Sequence, residues 1–220
     1  MRKLLIFDCD GTLVNTIVDV ALCFNEALIS CGFPPHEIKA YDGFVGGNLE
    51  TVVSRLLAPD VCTTENIDRV KTIYRRLYST SEKPNTQPYP GMVDMLDRLK
   101  ARGFLLAVNT NKGQKLTDEL LDKLFGQGYF DAVVGYEETR PSKPDPYGVD
   151  VICGLCGTDR GSAVYIGDGK SDIETACNAG IPCILATWGQ TTDADRRDAR
   201  PAFHADSVEQ LEEIILKHYA

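Results

Sequence analysis

From Gly91 to Ala186 the chain alternates between short apolar runs of strand length and stretches with helical periodicity, and few architectures satisfy such a pattern. Helical patterns cover Met92 to Arg102, Gln114 to Phe125, Pro146 to Cys156 and Ser171 to Ala179. Between and after them, strand patterns cover Leu105 to Asn109, Ala132 to Gly135, Ala163 to Gly167 and Pro182 to Ala186. Strands separated by helices pair in parallel, because each crossover helix returns the chain to the same edge of the sheet. The apolar run Lys3 to Phe7 adds a strand, and Ser207-x-x-Gln210 is a capping-box pattern that opens a last helix from Val208 to His218. The expected fold class is α/β, a doubly wound, Rossmann-like parallel sheet.

One stretch breaks the alternation. A helix from Ile17 to Cys31 carries Val18, Ala21, Leu22, Ala27 and Leu28 on its apolar face. Helical spacing returns at Leu49-x-x-Val52-Val53-x-x-Leu56-Leu57 and from Glu65 to Tyr78, with no strand pattern, and Lys83 to Pro90 reads as a linker. Residues 14–86 are therefore expected to form a helical cap inserted into a core made of 1–13 and 87–220. Such an insertion acts either as a moving lid that excludes water or as a rigid helical subdomain.

Chemistry concentrates where apolar runs end. Asp8-Cys9-Asp10-Gly11-Thr12 follows Leu4-Leu5-Ile6-Phe7, and the period of two sends Asp8 and Asp10 to one side and Cys9 to the other. Paired acids suit covalent attack by one and proton transfer by the other, although an acidic turn that merely caps a helix reads similarly. Thr110 follows the run ending at Asn109, and Asp168 follows the run ending at Gly167, with Asp172 about one helical turn further on. Lys143 sits in Ser142-Lys143-Pro144-Asp145-Pro146, a loop by its prolines. Ligands bind at the carboxyl ends of the strands in open α/β sheets, so these groups are expected to converge.

Composition limits the partners. A net charge of −9 and a pI near 4.8 argue against nucleic acid, which needs a basic face. Eight cysteines are scattered through apolar segments without a secretory signal, as small core hydrophobes are, and Cys153-Gly154-Leu155-Cys156 has no second pair to make a zinc site. Apolar runs are too short to cross a bilayer, and Met1-Arg2-Lys3 leads into a strand without a cleavage site, so no membrane partner and a cytoplasmic location are expected.

Taken together, Asp8-x-Asp10-Gly11-Thr12, Thr110-Asn111-Lys112, Lys143-Pro144-Asp145-Pro146 and Gly167-Asp168-x-x-x-Asp172 resemble the four motifs of the haloacid dehalogenase superfamily, in order and over nearly the whole chain. With Tyr89-Pro90-Gly91 leading into a helix, the chain looks most like the phosphoglycolate phosphatase group. The resemblance implies hydrolysis of a small phosphate monoester, with Asp8 as nucleophile and Asp10 as general acid and base. Lys143 would bridge nucleophile and phosphate, and Thr110 and the amide of Asn111, near a helix start, would bind the phosphate.

Acidic side chains beside a phosphate repel by about 4 kcal/mol per pair at about 4 Å and a dielectric near 20, which implies a divalent cation. An all-oxygen set of Asp8, Asp10 through its backbone carbonyl, and Asp168 fits Mg²⁺, with Asp172 acting through water or by holding Lys143. Asn15 stands where that group commonly has an acid. Lys112 is near the site in sequence and equally suited to solvent. A sugar-phosphate mutase of the same superfamily shares all four motifs and remains an alternative. A non-hydrolytic phospho-acceptor domain would place its acceptor after the third strand and carry no cap.

Overall fold

A computed structural model describes residues 3–220; Met1 and Arg2, part of the segment judged to lack a cleavage site, lie outside the described residues. The chain forms two compact units: the chain up to Val14 with Pro88–Ala220, and Asn15–Gln87. Each junction falls one residue later than the sequence suggests.

Strands β1 (Leu4–Phe7) and β2 (Val14–Asn15) are followed by helices α1 (Ile17–Ser30), α2 (Tyr41–Phe44), α3 (Leu49–Leu56) and α4 (Thr64–Thr80). Next come β3 (Gln87–Pro88), α5 (Met92–Ala101), β4 (Leu105–Gly113), α6 (Gln114–Phe125), β5 (Ala132–Tyr136) and α7 (Tyr147–Leu155). The chain ends with β6 (Ala163–Gly167), α8 (Lys170–Ala179), β7 (Cys183–Ala186), α9 (Asp193–Arg196), β8 (Phe203–Ala205) and α10 (Val208–His218).

Six strands make one sheet in the order β5-β4-β1-β6-β7-β8, every pairing parallel. The period of two sorts its side chains into two cores. Leu5, Phe7, Leu106, Val108, Val164, Ile166 and Ile184 pack with residues of α5, α6 and α10 on one face. On the other face, Leu4, Ile6, Leu105, Ala107, Tyr165 and Leu185 pack with residues of α7 and α8. β1 lies at the centre with all four residues fully buried, and each such side chain contributes about 1.5–3 kcal/mol of transfer free energy.

Within the helical unit, α1 packs on α4, with the Phe24 ring stacked 3.7 Å from that of Tyr74. Asn25 Oδ1 accepts hydrogen bonds from His36 N and Tyr41 Oη, while its Nδ2 donates to the His36 carbonyl. The segment read as a linker is pinned where it leaves the unit. Buried Asp19 accepts from Asn85 N at 3.0 Å, Asn85 Nδ2 at 2.9 Å and Thr86 Oγ1 at 2.7 Å. No described helix is long and apolar enough to cross a membrane.

Candidate active site

Register brings the motifs together. Phe7 pairs with Val108 on one side and Ile166 on the other, so Asp8, Asn109 and Gly167 stand at one level of the sheet, with Thr110 and Asp168 one residue beyond. Asp8 N donates to the Ile166 carbonyl at 2.8 Å and extends the ladder by one bond. Cys9 turns into the core, and Asp8 Oδ1 accepts its backbone N–H at 2.6 Å.

Lys143 is the electrostatic centre. Its buried Nζ lies 2.8 Å from Asp8 Oδ2 and 2.7 Å from Asp172 Oδ1. Burial alone would lower the lysine pKa, but Asp172 and Asp8 outweigh it and hold the ammonium well above its ordinary value. The second oxygen of Asp172 accepts from Gly169 N at 3.1 Å, which caps α8. This carboxylate folds back over Gly167, where any Cβ would overlap it.

Asp168 is held from the other side. Its Oδ2 accepts from Gln190 N at 2.7 Å, its Oδ1 accepts from Thr12 Oγ1 at 3.2 Å, and its carbonyl accepts from Thr191 Oγ1 at 2.6 Å. A Cβ on Gly189 would overlap both Asp168 Oδ2 and the Gly11 carbonyl. Trp188 Nε1 donates to the Thr12 carbonyl at 3.1 Å, so the loop after β7 braces the first motif. None of Trp188, Gly189, Gln190 or Thr191 is flagged by the sequence reading. Their roles rest on backbone groups and close approach, which leave little signal in residue type.

Ligand oxygens of Asp8, Asp168 and Asp172 lie within 4.8 Å of one another. Burial, opposed by Lys143 and reinforced by Asp172, raises the Asp8 pKa to about 6. Burial also pushes Asp168 well above the carboxylate range, and Asp172 and Asp8 add to the effect. Clustered carboxylates that ionise reluctantly are what a hard divalent cation relieves, and the all-oxygen donor set fits Mg²⁺.

Asp10 points elsewhere: its carboxylate is bound by Lys112 Nζ at 3.0 and 2.9 Å, so only its backbone carbonyl remains for the metal role expected of it. Lys112 thus turns inward, the direction the sequence left open. Thr110 is buried, and its Oγ1 accepts from Lys112 N at 3.3 Å. Asn111 departs from expectation. β4 continues to Gly113, where it pairs with Tyr136, and α6 starts only at Gln114, so the Asn111 amide is not at a helix start. Its side chain donates instead to the Lys143 carbonyl at 3.2 Å and steadies the lysine loop.

The chain matches the family model described as haloacid dehalogenase-like hydrolase over residues 5–186. A phosphoglycolate phosphatase of Aquifex aeolicus is 32% identical over 187 residues, covering 85% of each chain. One from Psychrobacter arcticus is 30% identical, covering 99% of this chain and 97% of its own. A solved structure from Lactobacillus delbrueckii subsp. bulgaricus, whose phosphoglycolate phosphatase designation is itself provisional, superposes with a TM-score of 0.91 at 27% identity, over 98% of this chain and 99% of that one. The family model, the relatives and the superposition each span most of the chain, and the chain belongs to the haloacid dehalogenase-like hydrolase family.

Proposed function

We propose that this hydrolase is a Mg²⁺-dependent phosphatase that cleaves small phosphate monoesters through an aspartyl-phosphate on Asp8, with 2-phosphoglycolate as the first substrate to test. The observation that carries this reading is Asp8 at the carboxyl end of the central strand, 2.8 Å from a buried Lys143 that also holds Asp172. A bound Mg²⁺ would supply charge neutralisation and polarisation of the phosphoryl group, held by Asp8, Asp168 and the Asp10 carbonyl. Asp8 attacks phosphorus, and the P–O bond to the leaving alcohol breaks. Asp10 gives that oxygen its proton and later takes one from the water that attacks the acyl-phosphate, regenerating Asp8 and releasing phosphate. Lys143 neutralises charge as it grows on the phosphoryl oxygens, and Thr110 donates its hydroxyl to one of them.

Phosphoglycolate phosphatase is the printed name of relatives that span most of this chain, which supports the choice of substrate class. The helical unit takes the cap role, and free cysteines fit a reducing, cytoplasmic setting. The test is kcat/KM over a panel of phosphate esters with Mg²⁺ and with chelator. Hydrolysis of small esters that stops with chelator, returns with Mg²⁺ and is lost in Asp8→Asn is expected. Activity in metal-free buffer, near-normal turnover by Asp8→Asn, or isomerisation of a phosphosugar without free phosphate would refute it.

A further inference from the structure

Asp10 belongs to the same motif as Asp8 yet lies outside the acidic cluster, and Lys112 is what holds it there. The Lys112 side chain is 6% exposed, less than the 25% of Asp10, and its ammonium meets both carboxylate oxygens at 3.0 and 2.9 Å. Lysine is rarely buried this deeply, and burying an ion pair returns little net stability, so the cost calls for another purpose. Lys112 also sits on a firm base: it belongs to β4, and its backbone N–H is held by Thr110 Oγ1.

We infer that Lys112 is a positioning residue that sets the direction of the Asp10 carboxylate, keeping it off the Asp8–Asp168–Asp172 cluster and free for proton transfer at the leaving oxygen. This rests on the phosphatase reading above for its consequence, though not for its geometry. A carboxylate two residues beyond Asp8, free to rotate about its Cα–Cβ bond, would otherwise have nothing to keep it from turning toward the acidic cluster. The Lys112 clamp opposes that with two charge-assisted hydrogen bonds.

The test compares Lys112→Met and Lys112→Arg with wild type on an alkyl phosphate, whose leaving group needs a proton, and on p-nitrophenyl phosphate, whose leaving group does not. Proton transfer contributes about 10²–10⁴-fold, so Lys112→Met should lower kcat for the alkyl ester by about 30-fold or more. The loss of phosphorylation rate on the aryl ester should be under about fivefold, KM should hold, and Lys112→Arg should recover much of the loss. In an Asp10→Asn background, Lys112→Met should add less than about twofold, because the two residues act as a unit.

A raised KM with unchanged kcat would overturn the inference in favour of substrate binding by Lys112. Full additivity with Asp10→Asn, or equal losses of phosphorylation rate on both esters, would overturn it as well. Crystal structures of wild type and Lys112→Met separate this failure from failure of the phosphatase reading. Asp10 should turn to a new rotamer in the variant, and an unmoved Asp10 refutes the positioning role whatever the enzyme hydrolyses. If Lys112→Met does not fold, Lys112→Gln gives the same comparison.

Discussion

Removing the charge of Asp8 should stabilise the metal-free protein, and by an amount that depends on pH. Burial raises the Asp8 pKa from 3.8 to about 6 despite the neighbouring Lys143. The folded state therefore binds the proton more tightly than the unfolded chain does. That preference contributes fully below the unfolded value near pH 4 and is lost as pH rises through about 6, for a total of about 3 kcal/mol. Asp8→Asn cannot titrate and escapes the loss. Urea unfolding of both proteins in chelator, from pH 4.5 to 7.5, should show the variant gaining about 2 kcal/mol on wild type across that range, the first third of the effect lying below pH 4.5, or about 4–8 °C in Tm for a chain of this size. Saturating Mg²⁺ at pH 7.5 should then close the gap, since a ligand at 100 times its Kd adds about 2.7 kcal/mol to the protein that binds it. Parallel pH curves for the two proteins would refute the argument, because they would mean that Asp8 ionises as readily folded as unfolded.

Two further outcomes test the supports around the site and the helical unit. Asp19→Ala should cost about 1–3 kcal/mol in chemical denaturation by orphaning the buried hydroxyl of Thr86 and releasing the donors of exposed Asn85 to water, and a change below about 0.5 kcal/mol would show that the clasp carries no stability. Gly189→Ala should destabilise by about 1–3 kcal/mol through overlap with Asp168 and the Gly11 carbonyl. It should also weaken Mg²⁺ binding measured by calorimetry, and unchanged affinity would mean that Asp168 is not held by this loop.

The residues legible in the sequence are those that an apolar run leads up to. Asp8, Thr110 and Asp168 follow apolar runs, and parallel register does the rest. Lys143 was legible through its prolines. Asn111 has no helix start beside it because pairing to β5 carries β4 to Gly113, past the point where its apolar run stops. Lys112 was ambiguous because nothing in a lysine's neighbours in sequence says which way a long side chain turns. β8 escaped notice because it is only three residues long, follows Pro201 closely and pairs along one edge alone. Even the last helix differs in detail: Ser207 caps Gln210 as its pattern suggests, but Gln210 Oε1 reaches back to Asp206 N rather than to Ser207.

The brace from the loop after β7 has a consequence in time. Thr12 and Trp188 are 176 residues apart in sequence, and Thr12 and Asp168 are 156 apart. Contacts of such separation are slow to form, because loop-closure entropy must be met before they return anything. On a ribosome Asp8 and Thr12 are made well before Gln190, which holds Asp168 and leaves the tunnel only when the sheet strands through β7 have already been made. Synthesis at about 5–20 residues per second separates the two ends by roughly ten seconds or more. The nascent chain is thus a long-lived species whose first motif and Asp168 lack their brace, and the arrangement of the site is completed by the late loop rather than growing steadily as the chain lengthens.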